Sequence, residues 1–155
     1  MTTLQTPRFG LPLLAVGQAH KELFHNDALL LLDFLMHPVV QGVADDPDLL
    51  QPAEGACWLV GTSPVSAWSG KAGQIAGWST GGWHFIKPQE TMKIIILGGD
   101  PSETGSAIYD GTGWQIMAQI SGPTGGAVVD SEARSAIDSI LDLLRTVRIL
   151  PENPI

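Results

Sequence analysis

The sequence predicts an α+β fold: an extended N-terminal arm and buried helix, a small Trp-rich antiparallel β domain, and a C-terminal amphipathic helix. Three observations predict it. From Gln18 to His37 there is no glycine or proline, and Leu23, Asp27, Leu30, Leu31 and Phe34 follow helical spacing. Between Ala56 and Ile120, short apolar runs alternate with Gly, Pro, Ser and Asp, as short strands alternate with tight turns. Near the end, Ile137, Ile140, Leu141, Leu144 and Val147 fall on one helical stripe. The chain therefore divides into an arm and helix (1–50), a β domain (51–121), and a Gly-rich linker with the last helix (122–155).

Each element follows from local chemistry. Two prolines and a glycine within Pro7–Pro12 predict an arm running extended along a surface, with Leu11, Leu13 and Leu14 docking. The run Ala28–Met36 is apolar nearly all round, so burial of the first helix on several sides is expected, with His37-Pro38 ending it. Asp45-Asp-Pro-Asp and Gln51-Pro-Ala-Glu-Gly are turn sequences. The expected strands are Cys57–Val60, Gly73–Trp78, Trp83–Ile86, Met92–Leu97, Ser106–Tyr109 and Trp114–Met117. Trp78-Ser-Thr-Gly-Gly-Trp83 and Tyr109-Asp-Gly-Thr-Gly-Trp114 form a weak repeat, each reading as a hairpin between aromatic-bearing strands. After Ser121-Gly-Pro-Thr-Gly-Gly, Asp130 or Ser131 caps the final helix, and Pro151 and Pro154 stop it.

Composition excludes several functions. The chain has 155 residues, of which 44% are hydrophobic and only 15% charged. That is enough apolar material for a core and less charge than an ordinary soluble surface carries. Eight Lys+Arg against 16 Asp+Glu give a net charge of -8, and no Lys or Arg lies between Lys21 and Lys71. Nucleic acid and anionic membranes both need clustered positive charge, so neither is an expected partner. One cysteine permits no internal disulfide, and Cys57 reads as a small buried hydrophobe. No apolar run spans a bilayer and no signal-peptide pattern opens the chain, so a soluble product made in the cytoplasm is expected.

No nucleophile elbow, phosphate loop or dinucleotide fingerprint is present. His20 and His25 would point about 140° apart on a helix, missing the spacing of a helical zinc pair. Asp45, Asp46 and Asp48 lack the later acidic ligand of a calcium loop and read as a polar turn. The sequence therefore nominates no catalytic residue, metal or cofactor. Tryptophan is the informative residue, because Trp58, Trp68, Trp78, Trp83 and Trp114 all lie in the β region. Trp58 and Trp83 read as core, whereas Trp68 sits among small residues in Ser63-Pro-Val-Ser-Ala-Trp-Ser-Gly, where the ring either protrudes or fills the core, the two standing even. Trp68, with Trp78, Ser79 and Thr80, is the expected glycan-binding set.

The run Gly10-Leu-Pro through Gly17-Gln-Ala-His-Lys-Glu to His25-Asn-Asp-Ala-Leu resembles the opening of a phage- and gene-transfer-agent-associated family catalogued as a domain of unknown function. Pro52-Ala-Glu-Gly, Trp58-Leu-Val-Gly, Ala67-Trp-Ser-Gly, Gly73-Gln-Ile-Ala-Gly-Trp and Gly82-Trp-His-Phe continue the resemblance to about residue 117. Members have Tyr more often than Trp at the position of Trp58, and no large fibre domain follows here, which points to an adaptor or short spike. The family occurs among tail-fibre and spike components of alphaproteobacterial phages and prophages. The resemblance implies a virion structural protein of a tail fibre, spike or tail tip, with other virion proteins and cell-surface polysaccharide as partners. A free carbohydrate-binding module or lectin is the alternative. A homo-oligomer, a trimer first, is expected through Ile137, Ile140, Leu141, Leu144 and Val147, since a helix of this length needs its apolar stripe buried; packing of that stripe on the β sheet of its own subunit is the alternative.

Overall fold

The structure, a computed structural model, describes residues 4–17, 20–98, 104–118, 120–126 and 130–150. Among these residues, helix α1 (Lys21–Leu35) precedes eight strands: β1 (Val39–Val40), β2 (Val43–Ala44), β3 (Cys57–Val60), β4 (Ile75–Ser79), β5 (Gly82–Ile86), β6 (Lys93–Ile96), β7 (Gly105–Tyr109) and β8 (Trp114–Ile116). Helix α2 (Ser131–Thr146) follows, completing the α+β architecture. The strands form two four-stranded sheets, ordered β1-β6-β7-β8 and β2-β3-β4-β5. Pairing is antiparallel except at two edges, where β1 joins β6 and β2 joins β3 in parallel. These two-residue strands precede residue 51, and Gln41-Gly42 between them carries the chain from one sheet to the other.

The sheets pack face to face, because side chains alternate across each strand. Cys57 and Leu59 of β3 point inward with Ile75, Ile86, Val40, Ile94, Ile96, Ala107 and Phe34 of α1 to make the main core. Their neighbours Trp58 and Val60 point outward, where Ala76, Trp83, Phe85 and Trp68 complete a second apolar layer on the far side of the β2-β3-β4-β5 sheet. That sheet is therefore apolar on both faces.

Helix α1 meets the sandwich through Phe34, with Leu30, Leu31 and Leu35 packed beside it. The expectation of burial on several sides does not hold: Leu23, Phe24, Leu32 and Met36 are exposed, Phe24 at 81%. A second side of α1 holds the N-terminal arm, and a third faces solvent. Glu22, Asn26 and Asp33, spaced by four and seven, form a polar stripe on one face of the helix. Glu22 accepts from the Gly17 N–H at 3.3 Å, and Asn26 exchanges two hydrogen bonds with the Leu14 backbone at 2.9 and 3.0 Å. Buried Asp33 accepts from Thr6 Oγ1 at 2.6 Å and from the Arg8 and Phe9 N–H groups, each at 2.9 Å. The arm thus runs antiparallel to α1. Nor is it extended throughout, as expected: Gln5 and Pro12 bridge across a turn at Pro7–Phe9, tightened by Leu13 N–H to Leu4 O at 2.9 Å. Arg8 then closes the helix C-terminus, donating to the Phe34 and His37 carbonyls at 2.9 Å each.

The expected helix start at Gln18 and stops at Pro151 and Pro154 lie outside the described residues. Asp130 caps α2, accepting from the Glu132 and Ala133 N–H groups at 3.1 and 2.9 Å. Arg134 donates back to the Pro123 and Gly125 carbonyls, and Arg145 to that of Ile120, tying α2 to the segment before it.

Candidate binding site

The residues expected to hold a glycan do not form an open platform. Trp68 is the clear correction. It ends a one-turn helix, Ser66–Trp68, and is completely buried, stacked edge-on to Trp83 with ring centres 4.9 Å apart. The small residues around it, read as a protruding loop, are what allow that turn to fold down and seat the ring on the outer face of the sheet. A ring with no accessible surface cannot stack on a sugar. Trp83 also takes Trp58 and Trp78 edge-on, at 5.8 and 4.9 Å, so four of the five tryptophans form one packed cluster. Trp78 is half-buried and directly opposite Trp83 in the β4–β5 hairpin.

The other two expected residues are engaged locally. Ser79 is buried, its Oγ 2.8 Å from His84 Nε2 and accepting from the Gly81 N–H at 3.2 Å. A serine hydroxyl on an imidazole is the contact from which a nucleophile is activated, but a reacting site also needs space for substrate. Here the pair closes the hairpin turn under Phe34, whose ring centre lies 6.0 Å from that of His84. Thr80 is exposed and donates to Glu54 Oε1. Cys57 is buried in the core, and burial pushes its thiol up to about 11, far from a reactive thiolate.

A real concavity exists at the opposite end of the sandwich. Phe34 covers the row Cys57–Gly77–His84, and the next row, Leu59–Ile75–Ile86, fills the middle. Beyond it opens a cleft of about 580 Å³ between the two sheets. Tyr109 and Trp114, the cross-strand pair of the second aromatic hairpin, line it with ring centres 5.4 Å apart and planes at 61°. Trp114 is fixed there by its indole N–H, which donates at 2.8 Å to the carbonyl of Gly73, in the turn before β4. Thr62, Gln74 and Thr112 supply polar groups, and Lys87 is the one charged side chain among the lining residues. The adjacent Asp110 faces its own turn, accepting from the Thr112 and Gly113 N–H groups, Thr112 Oγ1 and Gln115 Nε2 at 2.8 to 2.9 Å. Those bonds, the two from the backbone foremost, hold its carboxyl well below the usual carboxylate range.

The sequence reading missed this cleft. Its signal was present in the repeat, since Tyr109 and Trp114 occupy the positions of Trp78 and Trp83, but strand pairing alone does not say which hairpin lies over a void. Among the expected interface residues, Leu141 is buried and Leu144 half-buried, while Ile137, Ile140 and Val147 are exposed.

A family model described as a protein of unknown function (DUF2793) matches residues 25–115, more than half of the chain. The match runs from within α1 into β8 and takes in both sheets, the tryptophan cluster and most of the cleft. A search of curated proteins finds no match.

Proposed function

The chain belongs to the DUF2793 family of proteins of unknown function, and on that premise we propose that it is a structural subunit of a phage-type particle. In this reading it is made in the host cytoplasm and built into a tail fibre, spike or tail tip as a homo-oligomer, a trimer first. The observation that carries the reading is the divided apolar face of α2. One edge of it, with Leu141 and Leu144, packs on its own chain, while Ile137, Ile140, Leu143 and Val147 stay 43% to 60% exposed. Apolar side chains gathered on one helix face in a chain of low charge suit a subunit that buries them against copies of itself. The arm folded onto α1 leaves Phe24 and Leu32 exposed as further apolar surface for other particle proteins.

The reading includes contact with host-surface glycan and no catalytic step, because the part-buried Ser79–His84 pair belongs to a hairpin and neither residue lines the cleft. A free carbohydrate-binding module is the second reading, favoured by the aromatic-lined cleft alone. Two measurements test the proposal. Light scattering on the intact chain gives an oligomeric mass, which truncation after Gly126 reduces to that of a monomer. Imaging of particles carrying a tagged copy then locates the chain in a fibre, spike or tail tip. A monomeric intact chain at micromolar concentration, or particles without it, overturns the reading.

A further inference from the structure

We infer that the cleft at the open end of the sandwich binds a carboxylate-bearing pyranose, the uronic-acid unit of an acidic polysaccharide. The inference rests on the reading that the chain meets host glycans, and it names the site and sugar class that reading leaves open.

Size and lining come first. A volume of about 580 Å³ is ample for a sugar unit and lies within the roughly 300–1,000 Å³ of ordinary small-molecule sites. The lining has the composition that pyranoses require. Tyr109 and Trp114 offer aromatic surface for C–H faces, and their tilted arrangement makes a corner rather than a flat wall. Thr62, Gln74 and Thr112 are the polar uncharged side chains among the lining residues, where ring hydroxyls need donors and acceptors, the Thr112 hydroxyl itself donating to Asp110. The bond from Trp114 to the Gly73 carbonyl holds the largest ring in place before any ligand arrives, so little ordering is left to binding.

Charge decides the sugar class. The chain carries 16 Asp and Glu residues and a net charge of -8, yet none of the described residues that line the cleft is acidic. Of the acidic side chains beside it, Asp45 lies against Gly61 of the lining and accepts from the Ser63 N–H at 2.8 Å, and Asp110 is turned into its own hairpin by four hydrogen bonds. Lys87, which follows β5, is the only charged residue among the described residues that line the cleft. A neutral sugar would leave that ammonium without a purpose in recognition, whereas a uronic carboxylate would pair with it at the exposed mouth of the cleft. Net repulsion from the acidic chain keeps a single site weak, and repetition of the site in an oligomer supplies avidity.

Calorimetry with trigalacturonic acid and with neutral maltotriose tests the inference on the intact chain. The acidic trisaccharide is expected to bind more tightly than the neutral one. Lys87→Gln, on an exposed side chain, should weaken it at least fivefold and bring the two sugars level. Val43→Trp, from a half-exposed edge position of the lining, should fill the cleft and abolish binding. Equal binding of both sugars by the wild type, acidic-sugar affinity unchanged by Lys87→Gln, or no binding at all overturns the inference, whether or not Val43→Trp folds. An oligomer that binds neither sugar removes the inference and leaves the structural reading standing. A monomer that binds the acidic sugar through Lys87 does the reverse.

Discussion

Phe34 of α1 rests directly on the backbone of Gly77 in β4, so close that a Cβ at residue 77 would lie 2.6 Å from Phe34 Cε2. The contact seats the helix on the sandwich, with the ring buried at the centre of the main core. Only a residue without a side chain lets the helix approach this far.

Gly77→Ala should therefore destabilise the fold by about 1–3 kcal/mol, the usual range for overpacking a core. Urea denaturation followed by tryptophan fluorescence reads the shift in midpoint. The compensating pair Gly77→Ala with Phe34→Leu should recover part of the loss, because the clash is with the ring. An unchanged midpoint for the single variant would show that the helix can shift away without cost.

Asp33 anchors the arm, and its loss should free residues 6–9. Replacing it with alanine leaves the Thr6 hydroxyl and the Arg8 and Phe9 N–H groups without their acceptor. With charge-assisted bonds worth about 1.5–3 kcal/mol each in net terms and some rescue by water, a loss of about 2–4 kcal/mol is expected. Hydrogen exchange at the Arg8 and Phe9 amides should accelerate more than at the β4–β5 ladder. Equal acceleration everywhere would mean that the arm unfolds only with the whole domain.

How much of this was legible beforehand differs by element. The six central strands and both helices follow from apolar periodicity and turn residues, and the paired aromatics at Trp78/Trp83 and Tyr109/Trp114 do face each other across their hairpins. The edge strands Val39–Val40 and Val43–Ala44 were not legible, because two residues carry no period and their pairing is set by the sheets they join. The stripe Glu22, Asn26, Asp33 stood at helical spacing inside an apolar helix, yet nothing in the sequence says that its partner is backbone of the arm. Trp68 was misread for a related reason. Small neighbours permit either exposure of a ring or a tight turn that buries it, and only the Trp83 surface decides between them.

Asp110 predicts an acid-resistant turn. Its carboxylate is stabilised by hydrogen bonds made only in the folded hairpin, so its folded pKa lies below its unfolded one. The sign follows: the contribution to stability is full above the unfolded aspartate pKa of about 3.9 and is lost as pH falls through the folded value. Carboxyl carbon shifts in an NMR titration should show Asp110 still ionised where exposed aspartates are half-protonated. A midpoint at the ordinary value would contradict the bonding. Asp110→Asn should remove this acid-range feature.

Cys57 should be silent to thiol reagents in the folded chain. It is buried, and burial raises its pKa to about 11. Ellman's reagent at pH 8 should release colour only on denaturation, one equivalent per chain. With the folded pKa raised, the thiol's contribution to stability is full below the unfolded value of about 8.5 and declines as pH rises from there through 11. Rapid labelling under native conditions would show that the core around Cys57 opens readily.

The last prediction concerns the two edges of α2. At 100° per residue, Ile137, Leu141 and Leu144 lie within about 60° of one another, while Ile140, Leu143 and Val147 occupy the adjoining arc. The first edge holds the buried Leu141, and the second is exposed throughout. Substitutions on the two edges should therefore separate folding from assembly. Leu141→Ala, which empties a buried site, should cost about 2–4 kcal/mol in monomer stability. The double change Ile140→Gln with Leu143→Gln keeps good helix formers at solvent-facing positions, so helicity and melting of the isolated subunit should stay nearly constant. Its mass by light scattering should nevertheless drop from oligomer to monomer at micromolar concentration. Were the double variant to remain oligomeric with unchanged affinity, the second edge of α2 would carry no contact between copies, and the exposed residues of α1, Phe24 and Leu32, would be the next surface to substitute.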